Sequence, residues 1–142
     1  MKLSVIATLL LSALFSAVSV EGYGNFFTIL NPGQLTTTCT GSVSIGNGVF
    51  TLSGTSLCVK SIVGGLTGPQ TSAKIYGPAA IGSASSVAVA TLPLTGVKNT
   101  CVTLSSSAVT SLNAGKLFIS IATSGCSSGE TRGQILPVTK LG

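Results

Sequence analysis

SVSIGNGVFTL, Ser42 to Leu52, is the stretch on which the reading of the fold turns. Apolar residues alternate with small or polar ones at a period of two, β-branched side chains carry much of the alternation, and Asn47-Gly48 falls in the middle. Two strands joined by a type I′ turn at Asn47-Gly48 would set Gly46 against Val49, Ile45 against Phe50 and Val43 against Leu52. Apolar side chains then share one face, while Ser44, Thr51 and Ser53 point away. This spacing predicts an antiparallel hairpin.

The same period of two continues along the chain. It predicts further strands at Phe26 to Leu30, Cys58 to Ile62, Ser72 to Tyr76, Ser86 to Leu92, Cys101 to Leu104, Lys116 to Thr123 and Glu130 to Leu136. Gly64-Gly65, Gly68-Pro69 and Gly77-Pro78 punctuate them. The one helical candidate is SSSAVTSLNAG, Ser105 to Gly115. A serine can cap its start, Val109 and Leu112 are three apart, and Gly115 can take the left-handed position past its end. Short strands with one short helix imply an all-β fold, an antiparallel Greek-key sandwich or barrel of the immunoglobulin or superoxide dismutase kind.

The first residues set the compartment. Lys2 precedes an almost wholly apolar or small run, Leu3 to Val18, and small residues follow it. Residues 1–19 read as a secretory signal peptide, with cleavage after Ser19 or as late as Gly22, so that the exported chain starts at Val20 or Tyr23. The run is shorter than the roughly 20 residues of a spanning helix, so no membrane association is expected after cleavage. Residues 23–142 then form a single domain of about 120 residues, enough for one core. Four cysteines, Cys39, Cys58, Cys101 and Cys126, are an even set in an exported chain and predict two disulfides. Extending the hairpin register brings Cys58 within a diagonal step of Cys39. A local pairing of Cys39 with Cys58 and Cys101 with Cys126 is therefore favoured, with a bulge at Gly54, while spacing leaves the other two connectivities open.

Charge is scarce. The chain has seven Lys and Arg, two Asp and Glu and no histidine, for a net charge of +5. Lys60, Lys74, Lys98, Lys116, Arg132 and Lys140 are scattered singly, which speaks against nucleic acid. Without histidine or aspartate, and with Glu130 the only carboxylate side chain in the domain proper (residues 23–142), catalytic triads, carboxylate dyads and the usual metal sites cannot be assembled. The expectation is a protein that is not an enzyme and carries no cofactor. Asn31 precedes proline and Asn99 opens only an Asn-Thr-Cys triplet, so N-glycosylation is not expected.

GETRGQI, Gly129 to Ile135, concentrates what charge there is. In a strand Glu130, Arg132 and Gln134 share one face, and Thr131, Gly133 and Ile135 the other. Glu130 can accept hydrogen bonds from amides of a neighbouring loop, and Arg132 can cap carbonyls or pair with Glu130. An exposed pair contributes only about 0 to 1 kcal/mol, which favours a buried latch over surface decoration. A ligand-binding arginine is the functional alternative.

The order LTGPQTSAKIYGPAAIG, then VTLSSSAVTSLNAGKLFISIATSG, then GETRGQI resembles the CHRD domain, the module first described in chordin and found in secreted microbial, plant and animal proteins. The resemblance spans Phe27 to Leu136. It implies an extracellular β-domain, and by analogy with chordin it implies binding of an extracellular protein. In the family the word before Gly77-Pro78 commonly reads His-Ile-His, with a third histidine where LFISIAT ends. Here those positions are Lys74, Tyr76 and Ala122, so an imidazole cluster for copper or zinc does not carry over. Three roles remain. The first is a secreted matrix or surface component that packs against polymer or copies of itself. The second is an extracellular protein-binding module, which an exposed patch around Phe26, Phe27 or Tyr76 would favour. The third is a degenerate superoxide-dismutase-like domain without a metal site.

Overall fold

The computed structural model describes residues 22–94 and 100–138. The proposed signal peptide, Lys98, Lys140 and the last residues of the domain lie outside that range. The described residues form eight strands, one α-helix and a single 3-10 turn at Pro32–Gln34: β1 (Gly22–Leu30), β2 (Ile45–Gly54), β3 (Ser56–Gly64), β4 (Gln70–Tyr76), β5 (Ala88–Leu92), β6 (Thr100–Thr103), α1 (Ser106–Asn113), β7 (Leu117–Thr123) and β8 (Thr131–Pro137). All neighbours are antiparallel, in the order β5-β4-β7-β8-β1-β2-β3-β6. The edge strands β5 and β6 touch, so the sheet curls into a nearly closed barrel. Because β6 returns beside β3 after the β4–β5 hairpin, the connection is a Greek key. Among the described residues no helix is long and apolar enough to cross a membrane.

The hairpin of the opening stretch does not turn at Asn47-Gly48. Strand β2 runs straight through both residues and turns at Gly54, with Ser53 opposite Ser56. Gly54 supplies the left-handed conformation that a tight turn needs, with φ of 63°. Gly46 and Gly48 are instead packing glycines. A side chain on Gly46 would run into the Ile62 carbonyl, and one on Gly48 would press on Thr28 and the Phe50 ring. The uninterrupted strand also changes which residues face in. Phe50 and Leu52 are buried with Ser44, while Ile45, Val43 and Val49 lie outside with Thr51 and Ser53.

The barrel interior holds Phe26, Leu30, Phe50, Leu57, Ile75, Ile119, Ile121 and Ile135, and α1 closes one end with Val109 and Leu112. Ser105 caps the helix by accepting from the Ala108 amide at 3.2 Å, and Gly115 follows it at φ of 69°. On β1 the parity is clear: Phe26 belongs to the core and Phe27 faces outward.

Two disulfides are present, with a connectivity different from the favoured one: Cys39 bonds Cys126, and Cys58 bonds Cys101. The reason is the same straight strand. With β2 running to Gly54, Cys58 sits opposite Thr51 on one side and opposite Cys101 of β6 on the other. Cys39 lies in no strand but in the loop of residues 31–44, which reaches the β7–β8 connection carrying Cys126.

Candidate functional site

Strands β7 and β8 depart from half-buried alternation. In LFISIAT every residue except Ser120 is buried, and the first five residues of β8 are buried as well. Leu117, Ile119 and Ile121 face the barrel. The opposite face carries Phe118, Ser120 and Ala122, with Arg132 and Gln134 beside them across the β7–β8 register. That outer face is covered by the loop of residues 31–44 and the loop of residues 77–87, so the row beneath them is removed from water.

Glu130 stands just before β8 and is 0% exposed. Four donors converge on its carboxylate. The Thr67 amide donates at 2.6 Å and the Thr67 hydroxyl at 3.0 Å, the Thr123 hydroxyl at 2.6 Å and the Ser42 hydroxyl at 3.0 Å. Burial pushes the Glu130 pKa up, but the bonds from Thr123, Thr67 and Ser42 outweigh it and hold the carboxyl below its ordinary value. The anion thus ties the β1–β2 loop, the β3–β4 loop and the end of β7 to the start of β8. The Cys39–Cys126 disulfide lies against it, the two sulfurs and a carboxylate oxygen falling within 4.8 Å of one another. With both sulfurs spent in a disulfide, the group is not a thiolate metal set.

Arg132 takes another route. It is 3% exposed, and its guanidinium lies 3.5 Å from the centre of the Phe118 ring, a cation–π contact. Tyr76 stacks on the far partner of that pair, with ring centroids 5.5 Å apart. Arg132 Nη2 donates to Gln134 Oε1 at 3.5 Å, and burial lowers the arginine pKa. The Gln134 side-chain Nε2 in turn donates to the Ala79 carbonyl at 2.9 Å and the Gly115 carbonyl at 2.8 Å, while its backbone N–H donates to Gln34 Oε1 at 3.0 Å. Backbone bonds join Arg132 to Asn31 in both directions.

The expectation that Glu130 could pair with Arg132 therefore needs correction: the two share no partner. Glu130 is held by hydroxyls and an amide at the barrel end, and Arg132 by an aromatic face and an amide side chain further along. Gly133, next after Arg132, is required by space, since a side chain there would strike Thr28 and the Ile29 carbonyl of β1.

Lys74, Tyr76 and Ala122, which stand where the resemblance puts histidines, do come together on this outer face. Tyr76 is opposite Phe118, Lys74 opposite Ser120 and Ala122 opposite Ser72. The set offers an amine, a phenol and a methyl group, none of them an imidazole ligand. What sequence reasoning missed is the cage of Ser42, Thr67 and Thr123 and the stacking of Phe118 under Arg132. The available signal was LFISIAT, apolar at both parities, the mark of a strand covered on both faces.

A small disulfide-bonded β-barrel of Greek-key form, with its last strand pinned under loops by a buried carboxylate, is the class of protein that fold and site define. Within that class, the chain matches the CHRD domain over residues 26–135 and belongs to the CHRD family. Neither a curated protein nor a solved structure matches it. Family and disulfides together are compatible with an extracellular module.

Proposed function

We propose that this protein is a secreted, non-enzymatic matrix or surface component that assembles with copies of itself. One observation carries the reading: an apolar patch on the outer face of β1, β2 and β3 is bare. Phe27 (39% exposed), Ile29, Ile45, Val49 and Ile62 (60% exposed) stand on adjacent strands in adjoining register rows, and Lys60 is the only charged residue among them. Monomeric soluble proteins seldom leave so contiguous an apolar patch unused. A sheet face of this kind can meet its own copy about a twofold axis. The single lysine gives a charged partner little to complement and offers little like-charge repulsion between copies.

The chemistry supports a role without catalysis. The only acidic side chain among the described residues is committed to four hydrogen bonds, and the serines have no imidazole to activate them. Neither a cofactor nor nucleic acid is part of the proposal.

Sedimentation of the mature chain across a range of concentrations tests it. Reversible association that Val49→Lys and Ile62→Lys abolish is the expected result. A monomer at all concentrations would overturn it in favour of the second reading, an extracellular protein-binding module presenting the patch around Phe27 to a different partner.

A further inference from the structure

The covered face of β7 and β8 differs from the bare one in enclosing space. Between the loops over β7 and β8 is a cavity of about 300 Å³, with Tyr76, Phe118 and Arg132 in its wall and the hydroxyl residues Thr37, Ser86 and Ser120 around them. This is the lower end of the size range of small-molecule pockets. A guanidinium has five donors in a planar fork. The Phe118 ring takes none of these donors as a hydrogen bond acceptor; it lies with its centre 3.5 Å from the guanidinium carbon. Among the described residues the only side-chain acceptor that the guanidinium meets is Gln134 Oε1, and no carboxylate pairs with it. A cation that is 97% buried and so sparsely paired is costly unless an anion completes it.

We propose that this cavity binds a small free organic acid, whose carboxylate pairs with the Arg132 guanidinium while its body lies against Tyr76 and Phe118. One guanidinium balances one negative charge, and no second cation is in the wall, so a monovalent carboxylate fits better than phosphate. The ringed wall and surrounding hydroxyls suit an acid with a flat or hydroxylated body. The volume suits a free acid rather than a polymer segment.

Titration calorimetry with benzoate, acetate, inorganic phosphate and polygalacturonate, at constant ionic strength, tests the assignment. Saturable binding of benzoate, weaker binding of acetate and none of phosphate are expected. Arg132→Lys keeps the charge but loses the fork, and should weaken benzoate at least about tenfold. Should that variant fail to fold, Ser86→Phe fills the rim from an exposed position and should weaken benzoate with an unchanged unfolding midpoint. Absence of saturable carboxylate binding would overturn the proposal, as would equal affinity in both variants. Tighter binding of phosphate would refute the carboxylate, and tighter binding of polygalacturonate the free acid. None of these outcomes depends on whether the chain self-associates.

Discussion

The two halves of the barrel treat their outer faces in opposite ways. On β1, β2 and β3 each strand largely alternates, core residue then solvent residue, and the outward set includes the uncovered apolar residues Phe27, Ile29, Ile45, Val49 and Ile62 among polar ones. On β7 and β8 the outward set includes a guanidinium and an amide, and the loops of residues 31–44 and 77–87 bury it. The polar side is hidden and the apolar side is open. Hidden polar groups specify position only if their partners are met, and Glu130 and Gln134 meet theirs with bonds to five separate loops or element ends. Open apolar groups do little for the fold and are free to make contacts.

The largest effect should come from cutting the covered half loose. Replacing Cys39 and Cys126 by serine opens a link across 87 residues, which in the loop-closure picture costs about 4 to 5 kcal/mol. Urea unfolding of the variant should show a domain at the edge of stability. A loss under about 1 kcal/mol would mean that the loop of residues 31–44 is held without the bond.

Next in size is the carboxylate cage. Glu130→Ala strands the Thr67 amide and three hydroxyls, and the expected loss is about 3 kcal/mol. Arg132→Ala removes the stack on Phe118 and should cost about 1 to 3 kcal/mol. Since the two side chains share no partner, the double variant should equal the sum of the singles to within about 0.5 kcal/mol. A larger coupling would mean that the pair acts as one unit after all.

Smallest should be the effect of charging the bare half. Val49→Lys or Phe27→Lys changes an exposed position, and the unfolding midpoint should move by no more than about 0.5 kcal/mol while association disappears. A large destabilisation would show that the apolar face contributes to folding, and the contrast between the halves would fail.

The sequence disclosed where the strands of both halves lie, but misplaced the turn after β2 and, with it, which residues face outward and which cysteines pair. Period two found every strand region, and Ser105, Val109, Leu112 and Gly115 marked the helix. Asn47-Gly48 misled because the local turn signal was outweighed by packing: Gly48 serves Thr28 and Phe50, and Gly54 turns the chain. From that slip followed the wrong parity for Val43, Ile45 and Ser44 and the wrong partner for Cys58, since a shift in register transfers side chains between faces. The face shared by Lys74, Tyr76 and Ala122 was legible from the family words. The cage of Ser42, Thr67 and Thr123 was not, because its members come from three distant segments whose meeting depends on the barrel closing.

Acid titration of stability tests the latch most directly, because Glu130 and Glu21 are the only acidic side chains in the chain. A carboxyl whose pKa is lowered in the folded state contributes stability that is complete above its unfolded pKa, about 4.3, and is lost as pH falls through the folded value. Urea midpoints measured from pH 6 down to about pH 2 should therefore fall for the natural chain below about pH 4, while Glu130→Gln, less stable at pH 6, stays nearly level and the two curves converge. Parallel curves, or a natural chain that gains stability in acid, would contradict an ionised, hydrogen-bonded Glu130 as the anchor of the last strand.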